Sequence, residues 1–408
     1  MDIYERLKIR KRVNGAGLLT RLGGSLMAPE VLDAMREAAQ SYVDIAELQT
    51  RASEIIARHT GAEAGLVTSG AAAALTLGTA ACLTGHDVAK MERLPDTEGM
   101  PNEVIMYRMH RTGYDHAIRA AGAKIREVGF NDRGAGAGVR GLEPWEIEAA
   151  ISANTVAIAY TMTPSRQPAL RQVAEVAARH NLPVIVDAAA QLPPKENLRR
   201  FVDDGASLVT YSGGKAIRGP QGTGILCGRR ELISAALIQQ LDMDVSPETW
   251  DPPEGLLSRE LLARYPHHGL GRGFKVDKEE IVGLLVALER FASMDVGADM
   301  QARERQLAAL AALLGDVPHA KATLLSASAT GRYPLLELAF DEKALEANAY
   351  AISKRLQAGA PPVHLSERRA YEGILVVDPA GLRPEDSAAI AHAVRSLNKP
   401  RNKSEPCK

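Results

Sequence analysis

The sequence predicts an α/β protein: a mostly parallel seven-stranded sheet with helices on both faces, followed by a smaller α+β C-terminal domain. Three observations predict it. Seven apolar runs of strand length recur between residues 65 and 227, helical patterns separate most of them, and 46% of the 408 residues are hydrophobic, enough for one large core and a smaller one.

Taken in order, residues 1 to 48 read as an arm and a helix. Glycines 15, 17, 23 and 24 bend the entry, so 14–17 and 22–25 are expected to be loops, and Pro29 opens a helix over 29–42. A second helix runs from 46 to 59 and stops at Gly61. Strands are expected at 65–68, 104–109, 124–130, 155–161, 182–187, 206–211 and 223–227, with helices at 115–121, 144–152 and 170–179. These form a large domain over 49–285. Pro247, Pro252, Pro253 and Pro266 break the stretch 229–275 into an irregular connecting lobe. A helical pattern over 278–314 then leads into the small domain, 286–408, with strands near 322–325, 335–340 and 373–377 and helices near 345–356 and 384–397.

A formal net charge of −1 offers no field for nucleic acid or an anionic membrane. The N-terminus lacks the apolar core of a signal peptide, and the alanine-rich run 71–83 is too short to span a bilayer, so a cytoplasmic protein is expected. Cys82, Cys227 and Cys407 are odd in number and widely spaced, and read as free thiols. His267-His268 lacks ligand company in the sequence, and no metal is expected.

The chemistry centres on Tyr211-Ser212-Gly213-Gly214-Lys215, where a lysine sits in a glycine-rich turn between two apolar strands. Glycines admit a ligand close to the backbone, and Lys215 is the group in that turn able to form an imine, as pyridoxal 5'-phosphate requires. Asp187 ends an otherwise apolar strand, where an unpaired carboxylate is costly and a pyridinium nitrogen is a natural partner. Ser69-Gly70-Ala71 joins a strand end to a helix start and offers free amides to a phosphate, with Ser212 as a further hydroxyl. In the segment 107–116, His116 is the candidate for stacking on the ring, while Arg108 and Arg111 are candidates for an anionic substrate group. Gly136-Ala137-Gly138-Val139-Arg140-Gly141 fits a dinucleotide fingerprint, but Glu143, Glu146 and Glu148 follow and would repel a pyrophosphate.

The motifs Val13-Asn14-Gly15-Ala16-Gly17, Tyr114-Asp115-His116-Ala117-Ile118, Val186-Asp187-Ala188-Ala189-Ala190-Gln191-Leu192-Pro193-Pro194, Ser212-Gly213-Gly214-Lys215 with Gly219-Pro220-Gln221, and Gly271-Arg272-Gly273-Phe274-Lys275-Val276 resemble the selenocysteine synthase (seryl-tRNA selenium transferase) family of fold-type I pyridoxal phosphate enzymes. Within it, the chain is similar to the branch that contains D-glucosaminate-6-phosphate ammonia-lyases. The resemblance implies Lys215 as Schiff-base lysine, Asp187 at the ring nitrogen, His116 as stacking residue, and Ser69, Gly70, Ala71 and Ser212 around the phosphate. It also implies at least a homodimer. Selenium transferases carry an N-terminal tRNA-binding domain, whereas here the Asn14-Gly15 motif begins almost at once, so no tRNA partner is expected.

The expected activity is α,β-elimination and deamination of a small β-hydroxy amino acid or amino sugar acid, resembling D-glucosaminate 6-phosphate, to a 2-oxo acid and ammonia. Arg218, Arg272 and Arg383 join Arg108 and Arg111 as candidates for the substrate's carboxylate or phosphate. A selenium or sulfur transferase, a racemase and an aminotransferase share these parts, and a regulator that binds the cofactor without turnover is an alternative of another class.

Overall fold

The apolar runs pair into one seven-stranded sheet in a computed structural model that describes residues 2–129, 142–162 and 168–398. A short strand, β1 (Val13–Gly15), comes first in the chain. The large sheet takes β2 (Ala64–Thr68), β3 (Glu103–Tyr107), β4 (Lys124–Val128), β5 (Thr155–Thr161), β6 (Val184–Asp187), β7 (Leu208–Ser212) and β8 (Gly224–Gly228). Their spatial order is β2-β8-β7-β6-β5-β3-β4. β8 runs antiparallel to both β2 and β7, and the other pairs are parallel. Because β7 and β8 form an antiparallel pair, the segment between them leaves and re-enters the sheet at the carboxyl edge of the parallel strands. Lys215 therefore sits on that edge with the ends of β2 and β6, where open α/β sheets bind ligands.

Val184, Ile185 and Val186 of β6 are all at most 1% exposed, the continuous burial expected of a strand covered on both faces. One cover is the helix Ala71–Thr84, which is buried on nearly every side. Its small residues follow from its place between the sheet and the helix Arg230–Gln240. A Cβ on Gly78 would stand 3.1 Å from Leu208 and 3.4 Å from Leu226, so the helix rests directly on β7 and β8. Ile45–Thr60 packs beside β2, with Asp44 accepting from the Glu47 amide at 2.9 Å and Gly61 in the left-handed region at its end. Among the described residues no helix is long and apolar enough to cross a membrane.

Four expectations change. The stretch 229–275, expected to be irregular throughout, opens with the helix Arg230–Gln240. The long pattern over 278–314 breaks into Lys278–Ser293 and Val296–Leu314, because Asp295 accepts from the Ala298 amide and starts a new helix. The helices expected at 115–121 and 144–152 are single turns, His116–Ala120 and Pro144–Glu148. Residues 14–17, expected to be a loop, are partly strand, since β1 pairs in parallel with β11 (Val363–Leu365), a partner no local pattern reveals. The glycine run 136–141 and Cys407 lie outside the described residues.

The chain folds as two compact units. One is Met27–Ser293; the other joins Met1–Leu26 to Met294–Lys408, whereas the sequence pattern alone sets residues 1–48 apart as an arm. The second unit holds β1 with β11 and an antiparallel sheet in which β10 (Leu335–Phe340) lies between β9 (Ala320–Leu325) and β12 (Ile374–Val377). Its core includes Leu307, Leu336, Ile352, Val377 and Ile390. The Asn14 side chain accepts from Ala16 N and donates to Gly17 O, which turns the chain after β1. Gly17 has φ +86°, and a Cβ there would stand 2.6 Å from Asp378 Oδ2, which explains the glycine.

Candidate active site

β7 ends at Ser212, and the chain folds on itself before β8 begins. Gly213 N donates to Thr223 O and Gly219 N donates to Gly213 O, each at 2.9 Å, while Thr223 Oγ1 donates to Pro220 O at 2.7 Å. A Cβ on Gly213 would meet Thr223 Oγ1 at 2.1 Å, and one on Gly214 would meet Gln221 Cα at 2.5 Å. The two glycines before Lys215 are thus where the halves of the turn touch. Leu284 of the helix Lys278–Ser293 supports the turn, 2.6 Å from the Cβ position of Gly213 and 3.1 Å from that of Gly219. Lys215 is half-buried, and Arg218, with φ +61°, donates its amide to Lys215 O.

Asp187 ends β6 in register with Thr161 on one side and Thr210 on the other. Burial pushes its carboxyl above the ordinary 3.8; the Ala189 amide, donating at 3.0 Å, and the Lys215 charge act in the opposite direction. Lys215 is therefore close enough to be felt at Asp187, and burial outweighs it. A further cationic partner at this carboxylate would offset that cost.

Beyond β2, Gly70 has φ +96° and begins the helix Ala71–Thr84 with no side-chain cap on its amides. β8 presses against this turn: a Cβ on Gly224 would lie 2.4 Å from Gly70 C and 2.5 Å from Ala71 N. Uncapped amides beside glycine backbone form a cradle for a phosphate. Ser69 takes a different part from that of a free hydroxyl, because its Oγ donates to Phe274 O at 2.9 Å. Ser212, half-buried and paired with Gly224, faces the same edge from β7. Lysine, half-buried acid and uncapped helix amides at one sheet edge fit the aldehyde, ring nitrogen and phosphate of pyridoxal 5'-phosphate.

Residues 11–244, which contain all three parts, match the family model described as L-seryl-tRNA selenium transferase. The chain belongs to that family. It is 30% identical over 407 residues to D-glucosaminate-6-phosphate ammonia lyase of Salmonella typhimurium, covering 97% of this chain and 98% of that protein. The 5'-C-glycyluridine monooxygenase-decarboxylase of a Streptomyces species is 28% identical over 405 residues, covering 97% and 91%. A solved structure of a D-glucosaminate-6-phosphate ammonia-lyase superposes with a TM-score of 0.80 at 29% identity, covering 97% and 98% of the two chains. The protein is a pyridoxal phosphate enzyme of fold type I.

Within this selenium transferase-like frame the remaining candidates separate. His116 is exposed and does not line the narrow cavity beside Asp187; Thr112, Tyr114 and Asp115 do. Arg108 Nε lies 2.9 Å from Glu127, and Arg111 bridges Glu127 and Asp115, the latter at 2.5 Å. Both arginines thus have carboxylate partners of their own. Arg272 lies 2.5 Å from Asp242, and His268, for which the sequence offered no ligand company, lies 3.5 Å from Asp242 and 3.8 Å from Asp244 in an exposed group. Arg383 belongs to the other unit, half-exposed and 3.8 Å from Glu385.

Sequence reasoning passed over Asp115, which is 6% exposed and held by Arg111 and Arg119 (3.2 Å). The spacing of four residues on either side was the signal that could have found it. Nothing local marks Gly224, because its neighbours Gly70 and Ala71 come from a distant part of the chain.

Proposed function

We propose that this chain is a cytoplasmic ammonia-lyase that removes a β-hydroxyl and the amine from an amino sugar acid of the D-glucosaminate 6-phosphate class, or from a smaller β-hydroxy amino acid, leaving a 2-oxo acid and ammonia. The observation that carries the reading is the presence at one sheet edge of Lys215 and a half-buried Asp187 whose carboxyl feels the lysine charge. The full-length likeness to an ammonia lyase supports the reaction type.

When bound, the cofactor supplies an electron sink for the charge left at the substrate's Cα. Asp187 would hold a proton at the ring nitrogen, and the amides at Gly70 and Ala71, with the Ser212 hydroxyl, would hold the phosphate. Lys215 would hold the aldehyde end at rest and, freed when the substrate amine binds, would take the Cα proton at Nζ. The β-hydroxyl then departs with a proton as water, and the released enamine, as its imine tautomer, takes up water to give the 2-oxo acid and ammonia. Arg218 is the candidate nearest the lysine in sequence for the substrate's anionic groups, with Arg272 and Arg383 further candidates. Burial pushes the Cys82 and Cys227 thiols up to about 12, so neither serves as the nucleophile of sulfur transfer.

The test is release of ammonia and 2-oxo acid from a panel of D- and L-β-hydroxy amino acids and D-glucosaminate 6-phosphate, with Lys215→Ala as the control. Product from one member, absent in Lys215→Ala, supports the lyase. A yellow protein inert to the whole panel moves the assignment to racemase, aminotransferase or transferase chemistry. One that turns nothing over yet changes partner affinity with cofactor is the regulator.

A further inference from the structure

The segment 265–272 is fastened to the end of the helix Arg230–Gln240 and the residues just after it. Tyr265 Oη donates to Val245 O at 2.7 Å, and Leu270 N donates to Gln239 Oε1 at 3.3 Å. Gly269 and Gly271 lie directly on the helix end, since a Cβ on either would stand 2.7 Å from a backbone atom of Gln239. Between these fastenings the two histidines part. His267 Nδ1 lies 2.9 Å from Glu92, whereas His268 Nε2 lies 3.5 Å from Asp242 Oδ1 and 3.8 Å from Asp244 Oδ1. One donor atom from each of Asp242, Asp244 and His268 thus lies within 4.8 Å of the other two. Arg272 takes the remaining Asp242 oxygen, Oδ2, at 2.5 Å, which orients the carboxylate and leaves Oδ1 to the group. Asp242 and Arg272 also line a cavity of about 670 Å³. Gln240 lines it too, and its buried Oε1 accepts no hydrogen bond among the described residues.

We propose that Asp242, Asp244 and His268 bind a divalent transition-metal ion of the zinc class at the rim of this cavity. Two carboxylate oxygens and an imidazole nitrogen form a donor set for such an ion, whereas magnesium and calcium take oxygen alone. Three protein ligands leave the remaining positions to water, a donor of the kind that Gln240 Oε1 lacks. The ion would join the chain just past the helix Arg230–Gln240 to the segment 265–272, adding a coordinate link where hydrogen bonds already hold the two together. Its ligands come from segments more than twenty residues apart, so no local motif announces it. A protonated imidazole paired with two carboxylates is the competing account of the same three groups, and it takes up no metal.

The experiment is calorimetric titration of the full chain, treated with chelator and then freed of it, with zinc chloride and in parallel with magnesium chloride. Wild type is compared with Asp242→Asn, Asp244→Asn, His268→Ala and His267→Ala. Wild type is expected to take up one zinc ion per chain and no magnesium at the same concentrations. Asp242→Asn, Asp244→Asn and His268→Ala should each weaken zinc binding by at least about 10-fold, the smallest loss expected when even an outer partner of a metal site is removed. His267→Ala, one residue away and paired with Glu92, matches wild type. The three ligands are exposed, so their replacement leaves the core intact, and unchanged far-ultraviolet circular dichroism confirms it. Wild type that takes up no zinc, zinc uptake unchanged in Asp244→Asn and His268→Ala, or magnesium bound as tightly as zinc overturns the proposal. The roles of Lys215 and Asp187 stand or fall separately, by the ammonia-release assay.

Discussion

Asp187 carries a cost in the cofactor-free protein, since burial raises its carboxyl above the ordinary 3.8. A raised folded-state value makes its contribution to stability largest below the unfolded value, and that contribution is lost as pH rises through the folded one. Cofactor-free Asp187→Asn is therefore expected to match wild type at low pH and to melt higher than wild type at neutral pH, as thermal melts across pH will show. With cofactor and substrate the order reverses: Asp187→Asn and Lys215→Ala should each lose about 10²–10⁴-fold in turnover, the range for a positioned proton-transfer group, measured as ammonia release. The positions of both residues were legible in the sequence because their signal is local, an acid closing an apolar strand and a lysine between glycines.

Among the elements, the turn of Lys215 and the turn at Gly70 are set by different neighbours. A Cβ on Gly224 would enter the backbone of Gly70 and Ala71, so Gly224→Ala should destabilise the fold by about 1–3 kcal/mol and weaken pyridoxal phosphate binding, checked by denaturant melts and cofactor titration. Leu284, 0% exposed, supports the lysine turn from the helix Lys278–Ser293. Leu284→Ala is expected to cost about 2–5 kcal/mol in the same melts, with the visible absorbance of bound cofactor disturbed as well. Most strands of the large sheet were readable because they are nearly continuous apolar runs; the edge strand β4, with Lys124, Arg126 and Glu127, is the exception. β1 was not, because glycine and asparagine fit a loop equally well until β11 provides its hydrogen bonds.

At the scale of the molecule, a net charge of −1 predicts that tRNA is not retained in filter binding at about 0.15 M salt, where contacts to phosphates must outcompete counterions. Light scattering is expected to show a homodimer or larger assembly. The chemistry of the sequence by itself determined the α/β class, the cofactor and the places of Lys215 and Asp187 at or just beyond strand ends, because strand periodicity and the cost of a buried charge act over a few residues. The tertiary structure alone decided the rest: that residues 1–26 belong with 294–408, that Ser69 donates to Phe274 rather than standing free, and that Arg108 and Arg111 are occupied by Glu127 and Asp115. Those outcomes depend on hydrogen bonds, ion pairs and close backbone approaches, many of them between segments far apart in the chain, and their geometry exists only after the chain has folded.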